Sequence, residues 1–154
     1  MERYVLGIES TAHIFSVSVV SSGGKILSNS KSVYKPPEGS GIHPFEASQN
    51  HLAAASGVLG DAVRGSGLSL NDISAVAYAM GPGLGPCLRV GAVVARTLAS
   101  SLGLPLVPVN HAVGHIELGC LLTGARDPVV LLVSGGHTMV IGRASCRERV
   151  YGPV

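Results

Sequence analysis

The chain has 154 residues, of which 46% are hydrophobic and 13% charged, with 21 glycines. This is the composition of a glycine-punctuated globular domain, and it excludes disordered and collagen-like classes. No apolar run approaches the roughly 18 residues of a membrane helix, and Met1-Glu2-Arg3-Tyr4 lacks the basic, apolar and small-residue layout of a signal peptide. A cytoplasmic protein without a membrane partner is expected. Cys87, Cys120 and Cys146 have no CxxC spacing, which speaks against a disulfide framework and a zinc ribbon.

Residues 4–9 form a short apolar run, and residues 15–20 alternate Phe15, Val17 and Val19 with serines, a strand pattern. Gly23-Gly24 makes a turn, and residues 25–33 return as a third strand. Tight turns between these strands imply an antiparallel opening. A Pro- and Gly-rich loop covers residues 35–41, and His43-Pro44 starts a helix, proline suiting its first turn. Ser48, His51/Leu52, Ala55, Val58/Leu59 and Ala62/Val63 recur at helical spacing, and Gly65 is expected to end the pattern.

Residues 73–80 read as a strand broken by Gly81-Pro82-Gly83-Leu84-Gly85-Pro86. The following helix is expected to bury Val90, Val93/Val94, Thr97/Leu98 and Leu102, with Gly103 as its cap. A short buried strand is expected at 106–109, before a helix over 111–122 with Asn110 as N-cap and Gly124 at its close. Residues 129–133 are a buried strand, turned by Gly135-Gly136 towards residues 137–140. Antiparallel strands followed by alternating strand and helix units indicate an α/β mixed sheet with helices on it.

The last segment stands apart. Residues 141–150 read I-G-R-A-S-C-R-E-R-V, have no hydrophobic period, and look like a translated sequencing adapter, so residues 141–154 are expected to be a non-native tail. Removing its three basic residues and one acidic residue from the 11 and 9 of the chain leaves eight of each. A self-sufficient nucleic-acid binder usually carries a basic balance or stripe. Any RNA contact must therefore come from other sequence or from partners.

Among chemistry-bearing segments, His111-Ala112-Val113-Gly114-His115 is the strongest. Residues four apart share a helix face, so both imidazoles can reach one metal ion, and the positive helix end keeps them neutral for ligation. The competing reading is two separately hydrogen-bonded histidines, and a metal site would need a third ligand. A zinc-protease reading fails because Ala112 stands where HExxH chemistry requires Glu, and Glu117 lies off the face of the pair. The turn at residues 81–86 sits where helix amides can hold an anion, but it has neither P-loop nor dinucleotide spacing, and a structural turn explains it better. Val133-Ser134-Gly135-Gly136-His137-Thr138 is either an amide cradle for phosphate or a hairpin turn. Glu9, Ser10 and Thr11 at the end of the first strand either form a phosphate loop or a polar strand-to-turn transition.

Six ordered segments are shared with one family. They are G-I-E-S-T-A-H from Gly7, Y-K-P-P-E-G-S-G-I-H-P from Tyr34, G-P-G-L-G-P-C-L-R-V from Gly81, V-A-R-T-L from Val94, V-N-H-A-V-G-H-I-E-L-G from Val109, and L-V-S-G-G-H-T from Leu132. Over residues 3–140 the chain closely resembles the N-terminal half of the tRNA N6-adenosine threonylcarbamoyltransferase family, formerly labelled O-sialoglycoprotein endopeptidase. Archaeal and eukaryotic members are the catalytic subunit of the KEOPS complex.

The resemblance implies an actin-like, sugar-kinase-like (ribonuclease H-like) fold: a first lobe over 1–127, then the opening hairpin of a second lobe over 128–140. It implies transfer of threonylcarbamoyl from its adenylate to N6 of the adenosine beside the anticodon. It further implies His111 and His115 as ligands of one divalent metal, iron or zinc. Leu132, Val133, Ser134, Gly135 and Gly136 would contact ATP or threonylcarbamoyl-adenylate, and the partners would be tRNA and KEOPS-type proteins. Leu132 stands where many archaeal members carry Tyr, and it offers no oxygen to a metal. The family's second-lobe acidic and glycine motifs, including an Asp metal ligand, would lie past residue 140, so the chain alone is expected to bind metal weakly and transfer nothing. A catalytic residue cannot be assigned from the resemblance. A non-catalytic scaffold paralogue would lack the histidine pair, and an actin-like phosphotransferase would place a catalytic Asp in the second lobe.

Overall fold

A computed structural model describes residues 2–126, 128–134 and 137–141. Gly135, Gly136 and the expected tail beyond Ile141 lie outside the described residues. The chain divides into two compact units, Met1–His111 and Ala112–Val154.

In the first unit, β1 (Tyr4–Glu9), β2 (Ile14–Ser21) and β3 (Ile26–Val33) pair antiparallel in sequence order. Short connections permit nothing else, and Gly24 at φ 83° supplies the left-handed residue of the second turn. Helical crossovers then bring β4 (Ile73–Gly81) parallel to β1, and β5 (Leu106–Asn110) parallel to β4. The sheet order is β3-β2-β1-β4-β5, the mixed sheet that the element order implied.

The period-two pattern of β2 puts Phe15, Val17 and Val19 fully inside, beside Leu6 and Ile8 of β1. Helix α1 (Pro44–Ser66) packs over β2 and β3, α2 (Gly85–Leu102) packs over β4, and the two helices touch. The buried face of α1 is Ala47, Ser48, His51, Ala55, Val58 and Ala62. Leu52, expected on that face, is 61% exposed. The helix also passes Gly65, where a Cβ would stand 3.5 Å from Ser28 Cβ. It ends at Gly67, whose φ of 73° lets its N–H reach the Arg64 carbonyl.

Helix α2 differs from expectation in its face. Its buried residues are Cys87, Gly91, Ala95 and Ala99, a stripe at four-residue spacing. Val90, Val94 and Leu98 pack on the flanks of the core, and Val93 is 59% exposed. Small side chains let the α2 backbone approach the sheet more closely than a valine stripe would. A short 3-10 turn, Leu70–Asp72, was not anticipated; a reciprocal capping box between Ser69 and Asp72 closes it.

In the second unit, helix α3 (His111–Thr123) continues from the last residue of the first, and Gly124 follows at φ 71°. Strands β6 (Val130–Ser134) and β7 (His137–Ile141) form an antiparallel hairpin. No helix among the described residues is long and apolar enough to cross a membrane.

Candidate functional site

Strands β1, β4 and β5 run in the same direction, so Glu9, Gly81 and Asn110 close one edge of the sheet. Ligand sites of open α/β sheets lie outside this carboxyl edge. The chain leaves β1 through a tight turn in which the Thr11 N–H donates to Glu9 Oε1 at 2.6 Å. The other carboxylate oxygen, Oε2, lies 3.1 Å from Nδ1 of His111, the first residue of α3. Both side chains are about one-third exposed or less, at 34% and 28%.

A carboxylate only accepts, so Nδ1 carries the hydrogen, and in the neutral ring Nε2 carries the lone pair. Carboxylates orient metal-ligating histidines in this way. His115 follows one helical turn later in α3 and is exposed. Glu117 is also exposed. Among the described residues no group of three or more His, Cys, Asp and Glu side chains can hold a metal ion. Two imidazoles four residues apart along α3, one of them backed by a carboxylate, fall short of the three protein ligands a metal site needs.

The Glu9-Ser10-Thr11 turn, read in the sequence as a possible phosphate loop, is clamped from several sides. Ser10 is 1% exposed beneath α2, and a Cβ added to Gly91 would stand 2.1 Å from its Oγ. Thr11 is 6% exposed, and its carbonyl accepts from the Leu84 N–H at 2.7 Å. A Cβ on Gly83 would meet that same carbonyl oxygen at 2.5 Å. The glycine-rich turn at 81–86 therefore buttresses Thr11, and its Leu84 amide is engaged there. On the inner side, Nε2 of the fully buried His51 donates to the Ala12 carbonyl at 2.9 Å. Burial holds the His51 pKa below the ordinary histidine value.

Within the second unit, His115 borders a cavity of about 260 Å³ whose walls include Cys120, Thr123 and residues 128–131. Leu132 is half-buried in β6, paired with Met139, and Val133 is 67% exposed. The Ser134 backbone pairs with His137.

Residues 25–151 match the model of the family described as TsaD: tRNA N6-adenosine threonylcarbamoyltransferase. The chain belongs to the TsaD family. A relative from Hyperthermus butylicus with that enzyme name is 59% identical over 98% of this chain and 42% of its own length. A namesake from Pyrobaculum islandicum is 55% identical over 96% of this chain and 44% of its own. The chain thus spans less than half the length of these TsaD relatives. YeaZ from Pseudomonas aeruginosa matches in structure with a TM-score of 0.62 at 18% identity, over 99% of this chain and 72% of that one. This likeness supports the fold alone: the actin-like, ribonuclease H-like lobe expected from the TsaD resemblance is the fold present.

Two features of the site were not legible beforehand. The sequence leaves Glu9 open between facing a phosphate or its metal and a polar strand-to-turn transition, and gives no sign that its carboxylate meets His111, 102 residues away. His51 was read as one position of a helical stripe, but it bonds Ala12, 39 residues away. Contacts at such separations leave no local pattern. The signal that was present, a histidine among alanines on an apolar stripe, asked for a buried acceptor.

Proposed function

We propose that the full-length protein is a tRNA N6-adenosine threonylcarbamoyltransferase and that this chain supplies two metal ligands and their orienting carboxylate. The Glu9–His111 pair at the carboxyl edge, with His115 one turn on, is the observation that carries this reading. Family membership and relatives of that enzyme name support it.

In the proposed reaction the N6 amine of a tRNA adenosine beside the anticodon attacks the carbamoyl carbonyl of threonylcarbamoyl-adenylate. A new C–N bond forms, the bond from carbonyl carbon to phosphate oxygen breaks, AMP leaves, and the amine gives up a proton. When bound, a divalent iron or zinc supplies Lewis-acid polarisation of a carbonyl. His111 and His115 would hold it, with a further ligand from sequence outside this chain. Glu9 keeps the hydrogen of His111 on Nδ1 and so leaves on Nε2 the lone pair that a metal would take. The clamped turn from Glu9 to Ala12 holds that carboxylate in register, which favours a preorganised site. Leu132, Val133 and Ser134, with Gly135 and Gly136, would contact the adenylate or ATP. In the cytoplasm the enzyme would meet tRNA with KEOPS-type partner subunits.

The test is His115→Ala in the full-length protein, assayed for modified adenosine in tRNA. Activity should collapse while the protein stays folded. A scaffold paralogue or an actin-like phosphotransferase would be indifferent to this change, and indifference would overturn the reading.

A further inference from the structure

We propose that His51 is a positioning residue of this site: as a neutral imidazole protonated on Nε2, it holds the Ala12 carbonyl and so fixes the turn that presents Glu9 to His111. The inference rests on the Glu9–His111 pair being the working site.

His51 has no exposed surface, and its ring packs against Phe15 with centroids 5.7 Å apart at 49°. Packing alone would be met by a leucine, which brings no polar atoms. A histidine here leaves Nδ1 buried without a hydrogen-bond partner among the described residues. That is an unfavourable arrangement, since a buried polar atom without a partner gives up its hydrogen bonds to water and gains none in return. What the ring contributes in return is one N–H aimed at a carbonyl that lies in a turn, between β1 and β2, with no strand partner to satisfy it. A carbonyl accepts only, so Nε2 must carry the hydrogen, and protonating Nδ1 as well would bury a charge with nothing to accept it.

The consequence reaches the site through a short path. Ala12 is one residue from Thr11, whose N–H donates to Glu9 Oε1, and Glu9 Oε2 meets His111 Nδ1. Leu84 and Gly83 hold the Thr11 carbonyl from the outer side. His51 is the inner anchor, attached to α1 instead of the glycine turn. Removing it releases the end of the turn that leads into β2, and the Glu9 carboxylate loses its fixed direction.

The experiment is long-range proton–nitrogen correlation of the imidazole rings in the full-length protein, stripped of metal with a chelator and labelled with nitrogen-15 in histidine. Wild type is compared with His51→Gln and His51→Leu, and His111→Gln assigns the second ring by loss of its signals. Expected in wild type are a neutral Nε2–H ring for His51 and an Nδ1–H ring for His111. His51→Gln, whose amide N–H can reach the same carbonyl, should retain the His111 pattern. His51→Leu should weaken the Nδ1–H pattern of His111, with backbone spectra showing the fold intact. A His51 ring protonated on Nδ1, loss of the His111 pattern in a folded His51→Gln, or its retention in a folded His51→Leu each overturns the proposal. Should His51→Leu fail to fold, the wild-type and His51→Gln spectra still decide it. Absence of the Nδ1–H pattern from wild-type His111 would instead refute the Glu9–His111 pair itself.

Discussion

His51 has one ring nitrogen on a carbonyl and the other enclosed without a partner among the described residues. Its pKa in the folded chain lies below the ordinary 6.5, chiefly through burial; the Ala12 carbonyl and the Glu9 carboxylate oppose the shift, and His13 adds to it. The unfolded chain therefore takes up a proton at this position before the folded chain does. Stability is fully present above the ordinary 6.5, declines as pH falls from there towards the lower folded-state pKa, and levels off below it. His51→Gln does not titrate, so its urea midpoint should fall less than that of wild type between about pH 7.5 and about pH 5. Equal declines in the two proteins would mean that His51 is not the group that couples acid to unfolding.

Helix α2 shows the same economy at the level of an element. Gly91 faces Ser10 and Ile8, and a methyl group there would overlap Ser10 Oγ at 2.1 Å. Gly91→Ala gains about 1 kcal/mol of helix propensity but forces the helix off the sheet, and overpacking costs about 1–3 kcal/mol. The net change should be destabilising. Gly57→Ala in α1, where an added Cβ meets nothing within 4 Å, keeps the propensity gain without the clash and should raise the melting temperature. If thermal melts show Gly91→Ala stabilising to the same degree, α2 does not depend on that close approach. The element pattern was legible because periodicity is local: β2 alternates, α1 carries a four-residue stripe, and the left-handed Gly103 ends α2 as expected. The face of α2 was legible in part: Val90, Val94 and Leu98 pack against the core as expected, but full burial goes to the residues small enough for close approach, and Val93 is exposed. The end of α1 was misread because Gly65 and Gly67 look alike in sequence, and only the second adopts positive φ. The histidine spacing was legible for the same local reason, but the turn that serves it was assembled from β1, α1, β4 and α2 by tertiary contacts.

At the scale of the whole chain, the second unit has little core among its described residues. Ala112 is its one buried hydrophobic there, while Leu121, Leu122, Val129, Leu131 and Val133 are 51–72% exposed. Burying one large apolar side chain is worth about 1.5–3 kcal/mol, so these residues favour association when the chain is produced alone. Light scattering should show mass rising with concentration, and Leu122→Glu with Val133→Glu should return it towards the monomer without changing the circular dichroism. A wild-type chain that stays monomeric at about 100 μM would contradict this.

On the proposed pair of ligands, the same incompleteness would limit metal affinity. Four-ligand zinc sites in small peptides bind with about 10–16 kcal/mol. Two imidazoles supply about half such a set, and about half that free energy corresponds to a dissociation constant in the micromolar range or weaker. Calorimetry with zinc should therefore give weak binding by this chain, abolished by His111→Ala with His115→Ala, and binding tighter by orders of magnitude in the full-length protein. Tight one-to-one binding by the chain alone would mean that a third ligand already lies within it, and that the carboxylate now holding His111 is the first candidate.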